Sequence, residues 1–275
     1  MFADDTTLVF KSKDNLYLEA MTNEDMLSAA NWLEENKLSL NISKTKFMHF
    51  DLSKKGRKSP KISIGKNPIK QVKTQKFLGV IFDDKLPWKP HIQSITTKLN
   101  SCLGATRRAR SFLNESSLLT IYYSLIQSHI QYCSTTWGSW EPRGNKVALQ
   151  RLQAICNKFF RLIYNLDRTD SVRSLLKTNN VLNVFQNYDF NVGKMMQKAK
   201  ENNLPHPVQL LFTQDLRNPD FFSNRNCRIQ QTKKGIYFSG PKIWNNLPNS
   251  LATERNSSKF KLLLKEHILR LNPIN

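Results

Sequence analysis

The sequence predicts an α+β N-terminal part followed by a mainly α-helical remainder, and three observations carry that expectation. Up to Leu86, short β-branched and aromatic runs alternate with turn residues. From Trp88 onward the apolar residues recur at helical spacing. The charge also changes along the chain: residues 1–50 hold five Lys against eight Asp and Glu, net −3, and residues 51–275 carry the balance, net +24.

The 275 residues, 39% hydrophobic and 10% aromatic, are enough for one large or two modest domains with buried cores. Lys and Arg number 42 against 21 Asp and Glu, net +21. A chain this basic usually meets a polyanion, most often nucleic acid, the bland alternative being a basic surface with no partner.

Taken in order, Thr6–Phe10 reads as a strand after a turn at Asp4-Asp5. Thr22 to Asp25 has the form of a capping box, with Met26, Ala30 and Leu33 at helical spacing behind it, so an amphipathic helix is expected near residues 23–36, packed on a sheet. Short strands follow at Lys46–Phe50, Lys61–Ile64 and Phe77–Phe82. Gly79, among large residues, implies a bulge or a close backbone approach, which suits a functional hairpin and ordinary sheet packing equally.

Three apolar stripes then predict helices: Ile92, Ile95, Leu99, Leu103; Leu118, Tyr122, Leu125, His129, Cys133; and Leu152, Ile155, Phe159, Leu162. The first helix ends in Arg107, Arg108 and Arg110, and the third carries Arg151, Lys158 and Arg161 away from its stripe. These six are candidate phosphate contacts, and each could equally be a solvated side chain. Pro205 and Pro207 mark a boundary, Arg217–Lys234 reads as a basic loop or weak hairpin, and a last helix is expected at Ser257–Leu271 with Phe260, Leu263, Leu264, Ile268 and Leu271 inward. Trp137, Trp140 and Trp244 are read as anchors that pack loops onto a core, with base stacking as the alternative.

Cys102, Cys133, Cys156 and Cys227 have no metal-type spacing and suggest no disulfide framework, which fits a reducing intracellular compartment, nucleus or cytoplasm. No apolar run approaches the roughly 20 residues of a membrane span and the N-terminus lacks a basic leader, so neither a signal peptide nor a membrane partner is expected.

Adjacent carboxylates at a tight turn can bind divalent cations, although surface turns favour Asp in any case. The setting sharpens this pair. Phe2-Ala3-Asp4-Asp5 before a hydrophobic strand resembles the aromatic-x-Asp-Asp turn of reverse transcriptases. Asn41, Lys44 and Thr45 resemble the Asn-x-x-Lys-Thr core of the next palm motif, and Phe77-Leu78-Gly79 resembles the family's primer grip, with Trp88 and His91 at the start of the thumb. Gly240-Pro241, Trp244-Asn245 and Leu247-Pro248 look like the Gly-Pro-x-x-Trp-Asn-x-Leu-Pro segment near the end of jockey-like, non-LTR retrotransposon enzymes.

The resemblance implies an α+β palm remnant with the primer grip over residues 1–87, a helical thumb and connection over 88–203, and a C-terminal region with a basic loop and final helix over 204–275. It implies metal-dependent addition of deoxynucleotides to a DNA primer on an RNA template, with Mg²⁺ held by Asp4, the principal ligand, and its neighbour Asp5. Lys44 would lie close to the leaving phosphates, the alternative being a solvated loop lysine, and Phe77, Leu78 and Gly79 would press on the primer.

The family's other metal-binding Asp and its fingers lie upstream of this turn, and no carboxylate here replaces them, so the chain reads as a truncated C-terminal half with Met1 as an internal methionine. It is expected to be inactive alone, with part of the apolar face of the palm exposed. A non-catalytic nucleic-acid-binding protein derived from the thumb is the rival reading.

Overall fold

The computed structural model describes residues 6–51, 58–140, 145–216, 218–224 and 235–271. The chain divides into two compact units, Met1–Leu86 and Pro87–Asn275.

In the first unit, helix α1 runs Asn15–Glu35, earlier than the capping box suggested. Asp14 caps it by accepting from the Leu16 N–H at 2.9 Å, and Leu16, Leu18, Glu19 and Ala20 are good helix formers. Thr22 is therefore not a cap but the helix's buried residue. Asn23 Nδ2 donates to the Lys61 carbonyl, and its Oδ1 accepts from the Ser63 N–H at 2.9 Å. This ties α1 to β2 (Ser63–Ile64), as the expectation of a helix on strands required. Met26 and Ala30 pack with Leu40, Ile42 and Phe47 on a small core of Ile62, Ile64 and Ile69.

The strands are short and form three separate pairs. β1 (Lys46–Phe47) lies parallel to β4 (Lys70–Gln71), with Lys46 opposite Lys70. β2 pairs antiparallel with β3 (Asn67–Pro68), and β5 (Thr74–Phe77) antiparallel with β6 (Val80–Asp83). The strand expected at Thr6–Phe10 does not form: among the described residues no strand pairs with that stretch, and Leu8 and Val9 lie exposed. Residues 77–82 form a hairpin rather than one strand, because Leu78 and Gly79 both take left-handed backbone, φ 45° and 83°.

The second unit is helical. α2 is Lys89–Ala109, followed by a tight turn of 3₁₀ helix at Arg110–Phe112. α3 (Glu115–Ile121) continues through a π-helical segment, Tyr122–Gln127, into α4 (Ser128–Gln131). Short α5 (Ser134–Trp137) precedes α6 (Lys146–Tyr164), α7 (Arg173–Thr178) and α8 (Val184–Lys200). After α9 (His206–Gln209) come α10 (Ile236–Asn245), α11 (Asn249–Ala252) and α12 (Ser257–Arg270).

α2 buries the predicted stripe of Ile92, Ile95, Leu99 and Leu103. α6 buries seven residues, Leu149 through Ile163, including Phe159 and Phe160, and leaves Leu162 half-buried beside Ile163. The π segment corrects the second stripe. Its wider turn rotates the helix, so Leu118, Tyr122, Ile126 and Ile130, at a constant spacing of four, face inward while Leu125 and Cys133 are exposed.

α8 lies close against its neighbours through two glycines. A side chain at Gly193 would meet Leu264 of α12 at 2.7 Å, and one at Gly240 of α10 would meet Met196 Sδ at 2.6 Å. Phe260, Leu264 and Ile268 of α12 are buried there, and Leu271 is exposed.

The Gly-Pro-x-x-Trp-Asn segment has a structural role in this core. Trp244 is 1% exposed and donates from Nε1 to the Asp220 carbonyl at 2.8 Å, stacked on Phe260 at 5.7 Å. The Asn245 amide binds both backbone groups of Phe222, accepting from its N–H at 3.0 Å and donating to its carbonyl at 2.7 Å. Trp137 is likewise a buried anchor, donating to the Tyr132 carbonyl at 2.9 Å. Neither of these two tryptophans is placed to stack on a base.

Candidate nucleic-acid interface

Phe2, Ala3, Asp4 and Asp5, the expected catalytic and metal-binding turn, lie outside the described residues. Among the described residues, no group of three His, Cys, Asp or Glu could hold a metal ion.

The Asn-x-x-Lys-Thr spacing has a local cause. Asn41 Oδ1 accepts from the Lys44 N–H at 3.1 Å and from the Ser43 hydroxyl at 2.7 Å, and its carbonyl accepts from the Thr45 hydroxyl at 2.9 Å. Asn41 thus closes the turn that holds the Lys44 side chain out in solvent, directly before β1. Through the β1–β4 pairing and the Val72 N–H bond to the Phe47 carbonyl at 2.9 Å, this turn leads toward the chain that enters β5.

The β5–β6 hairpin ends in a two-residue loop, with Phe77 opposite Val80 and positive φ at both Leu78 and Gly79. Glycine adopts that conformation freely, whereas a leucine there costs about 1–2 kcal/mol of steric strain. The strained Leu78 side chain is 43% exposed and its neighbour Phe77 38%, Phe77 resting edge-on to Phe82 at 6.3 Å. The tip therefore projects an apolar surface on a strained turn.

In the second unit the candidate cations fall into two groups. Arg107 and Arg108 are exposed on the last turn of α2 and Arg110 is half-buried just beyond, where their charges also suit the negative helix end. Phe112, 87% exposed beside them, is a residue the periodicity missed. Its signal was the Arg-Arg-Ala-Arg-Ser-Phe run, an aromatic ring among cations that suits a single strand.

Arg151 and Lys158 are exposed on α6, two turns apart or about 10 Å. Arg161 differs: it is half-buried, and its Nε donates to the Asp170 carbonyl at 2.9 Å, holding the loop after α6. A third group, Lys194 and Lys198 of α8 with Lys261 of α12, escaped the sequence reading because it joins two helices distant in the chain. Burial and the charges of Lys261 and Lys198 push the Lys194 ammonium down from its usual value.

Burial pushes the Cys156 thiol up to about 12, which removes it as a nucleophile. Among the described residues, no helix is long and apolar enough to cross a membrane.

No family model and no solved structure matches the chain. A probable RNA-directed DNA polymerase from transposon X-element of Drosophila melanogaster is 28% identical over 165 residues, 59% of this chain and 18% of that protein. The chain thus matches less than a fifth of its relative's length. Over that stretch the chain is similar to a transposon RNA-directed DNA polymerase.

Proposed function

We propose that the chain supplies the primer-grip and thumb parts of an RNA-directed DNA polymerase, the first unit carrying chemistry and the second the hold on nucleic acid. The observation that carries this reading is the strained, apolar Phe77-Leu78-Gly79 tip on a hairpin at the family's primer-grip position. Mg²⁺ bound at Asp4 and Asp5 would activate the primer 3′-hydroxyl and offset charge on the departing pyrophosphate. Lys44, held out by the Asn41 turn, would stand near those phosphates. Arg107, Arg108, Arg110, Arg151 and Lys158 would contact backbone phosphates, while Arg161 holds the loop after α6.

The second reading, a thumb-derived binder with no chemistry, is favoured by one observation: residues 87–275 carry 27 Lys and Arg against 10 Asp and Glu, net +17, whereas residues 1–86 are net +4.

Titrating the chain with an RNA–DNA hybrid bearing a recessed 3′ end, over a range of salt, tests the hold. The expected log affinity falls steeply with log salt, and Arg151→Ala and Lys158→Ala each flatten the slope by about one unit. A flat slope in the unaltered chain sinks both readings. Primer extension that vanishes in Asp4→Ala supports the polymerase, and unchanged affinity without extension supports the binder.

A further inference from the structure

We propose that a cleft between α6 and the start of α8 is a pocket for one unpaired nucleobase. The proposal rests on the nucleic-acid reading above and deepens it, because the described phosphate contacts would hold duplex and single strand alike.

The cleft encloses about 220 Å³ and is lined by Trp140, Lys146, Gln150, Gln153, Asn157 and Phe185, with Ala154 between. Ligand pockets for drug-sized molecules run to roughly 300–1,000 Å³, so this one is of single-ring-system size. Its aromatic walls are nearly perpendicular, the Trp140 and Phe185 centroids lying 6.0 Å apart at 82°. The two rings meet edge to face, so a flat ligand would rest against an outer ring face of this wall. Trp140 is half-buried, unlike the sealed Trp137 and Trp244, and is oriented by donating from Nε1 to Asp189 Oδ1 at 3.3 Å.

The floor is set by an amide relay. The Val184 N–H, which can only donate, gives its hydrogen to Gln153 Oε1 at 2.8 Å. Gln153 Nε2 must then donate, and it does so to Asn157 Oδ1 at 2.7 Å. Asn157, which lines the cleft, is therefore fixed with its Oδ1 engaged and its Nδ2 as the donor end. Gln150, one turn earlier on α6, adds an amide at the rim and Lys146 a cation. A flat ring against an aromatic wall, with a carbonyl or ring nitrogen at an amide donor and a phosphate near an ammonium, describes a nucleotide.

A proline or arginine side chain of a protein would also fit against such an aromatic wall. Among the described lining residues the one charge is that of Lys146, and Arg151 and Lys158 lie on the next face of α6, a basic setting that disfavours arginine. Proline offers no use for the Asn157 donor on its ring. A base within a duplex is stacked on both sides, so entry requires an unpaired one.

The test compares single-stranded RNA with a fully paired hybrid of equal length on the whole chain. Trp140→Leu and Asn157→Leu each lower single-strand affinity about tenfold and leave hybrid affinity and salt slope unchanged, base stacking being of that size. Arg151→Ala weakens both substrates. As a readout independent of the two leucine variants, ¹⁵N-labelled indole signals are followed in the unaltered chain, Trp140 being assigned with Trp140→Phe. Nucleoside monophosphates at millimolar concentration shift the Trp140 signal.

Equal losses on both substrates, no loss on either, or a Trp140 signal that moves only with a proline-rich peptide overturns the proposal while the nucleic-acid reading stands. If the unaltered chain binds neither strand nor hybrid, that reading falls and this one with it.

Discussion

The two units spend their apolar residues differently. α1 and α6 are of similar length, 21 and 19 residues, yet α1 buries one residue, Thr22, whereas α6 buries seven. The first unit's core is three isoleucines with a few half-buried partners, and Leu16, Tyr17, Leu27 and Trp32 of α1 lie exposed. The second unit seals Leu99, Ile126, Leu149, Phe159, Phe160, Trp244 and Phe260. Stability therefore resides in residues 87–275, while the Asn41–Lys44 turn and the Phe77–Gly79 tip sit on a thinly cored part.

The largest test of that contrast is Phe160→Ala. Phe160 is fully buried, with the Tyr122 ring at 4.8 Å and the Tyr164 ring stacked at 6.2 Å. Its truncation costs about 3–5 kcal/mol, read as a fall in the urea midpoint with an unchanged slope. A cost below 1 kcal/mol would mean that the helical core repacks and is not the stable half.

How much of this was legible follows from which interactions are local. The stripe of α2 and the run of α12 as far as Ile268 could be read because a 3.6-residue period directly encodes the buried face. The stripe through residues 118–133 misled because the π segment is not a periodic signal: only the constant spacing of Leu118, Tyr122, Ile126 and Ile130 betrays a wider turn. The start of α1 was missed because Thr22-x-x-Asp imitates a cap while Asp14 supplies the real one.

At the candidate interface, the motifs located the hairpin and the Asn41 turn, where a few neighbouring residues determine geometry. They could not show that Arg161 is committed to the Asp170 carbonyl, nor that Trp140 and Phe185, 45 positions apart, share one cleft. Those relations are tertiary, and no window of sequence contains them.

A second test asks whether acid loosens the stable half. Burial, and secondarily the Lys98 ammonium, push the His91 imidazole down from 6.5 to about 4, where it lies edge-on to Trp137 at 5.4 Å. A depressed histidine means that the unfolded chain binds the extra proton first. Its contribution is thus fully present above pH 6.5 and is lost as pH falls toward 4. Between pH 7 and pH 5 the second unit should lose about 2 kcal/mol, and His91→Phe should remove that part of the slope in a denaturant titration. A slope equal in the variant would assign the acid sensitivity elsewhere.

Leu78→Asn probes the opposite property, strain in the weak half. Asparagine tolerates left-handed backbone and, followed by Gly79, completes a favoured hairpin turn, so the first unit gains about 1 kcal/mol. The same change removes the apolar tip and should weaken binding to a hybrid with a recessed 3′ end. Stability and grip moving in opposite directions is the signature of strain kept for function. Both falling together would make Leu78 a packing residue.

The smallest expected effect bears most directly on whether α1 is bare. Trp32 is 56% exposed, so Trp32→Ser should change stability by less than about 0.5 kcal/mol in urea. It should nonetheless lower binding of an apolar dye and shift sedimentation toward the monomer, because an uncovered tryptophan beside other exposed apolar residues is adhesive surface. A loss of more than 1 kcal/mol would mean that Trp32 is covered in solution. The thin core of the first unit would then be completed by whatever covers it, and the contrast between the halves would belong to the isolated chain rather than to the working one.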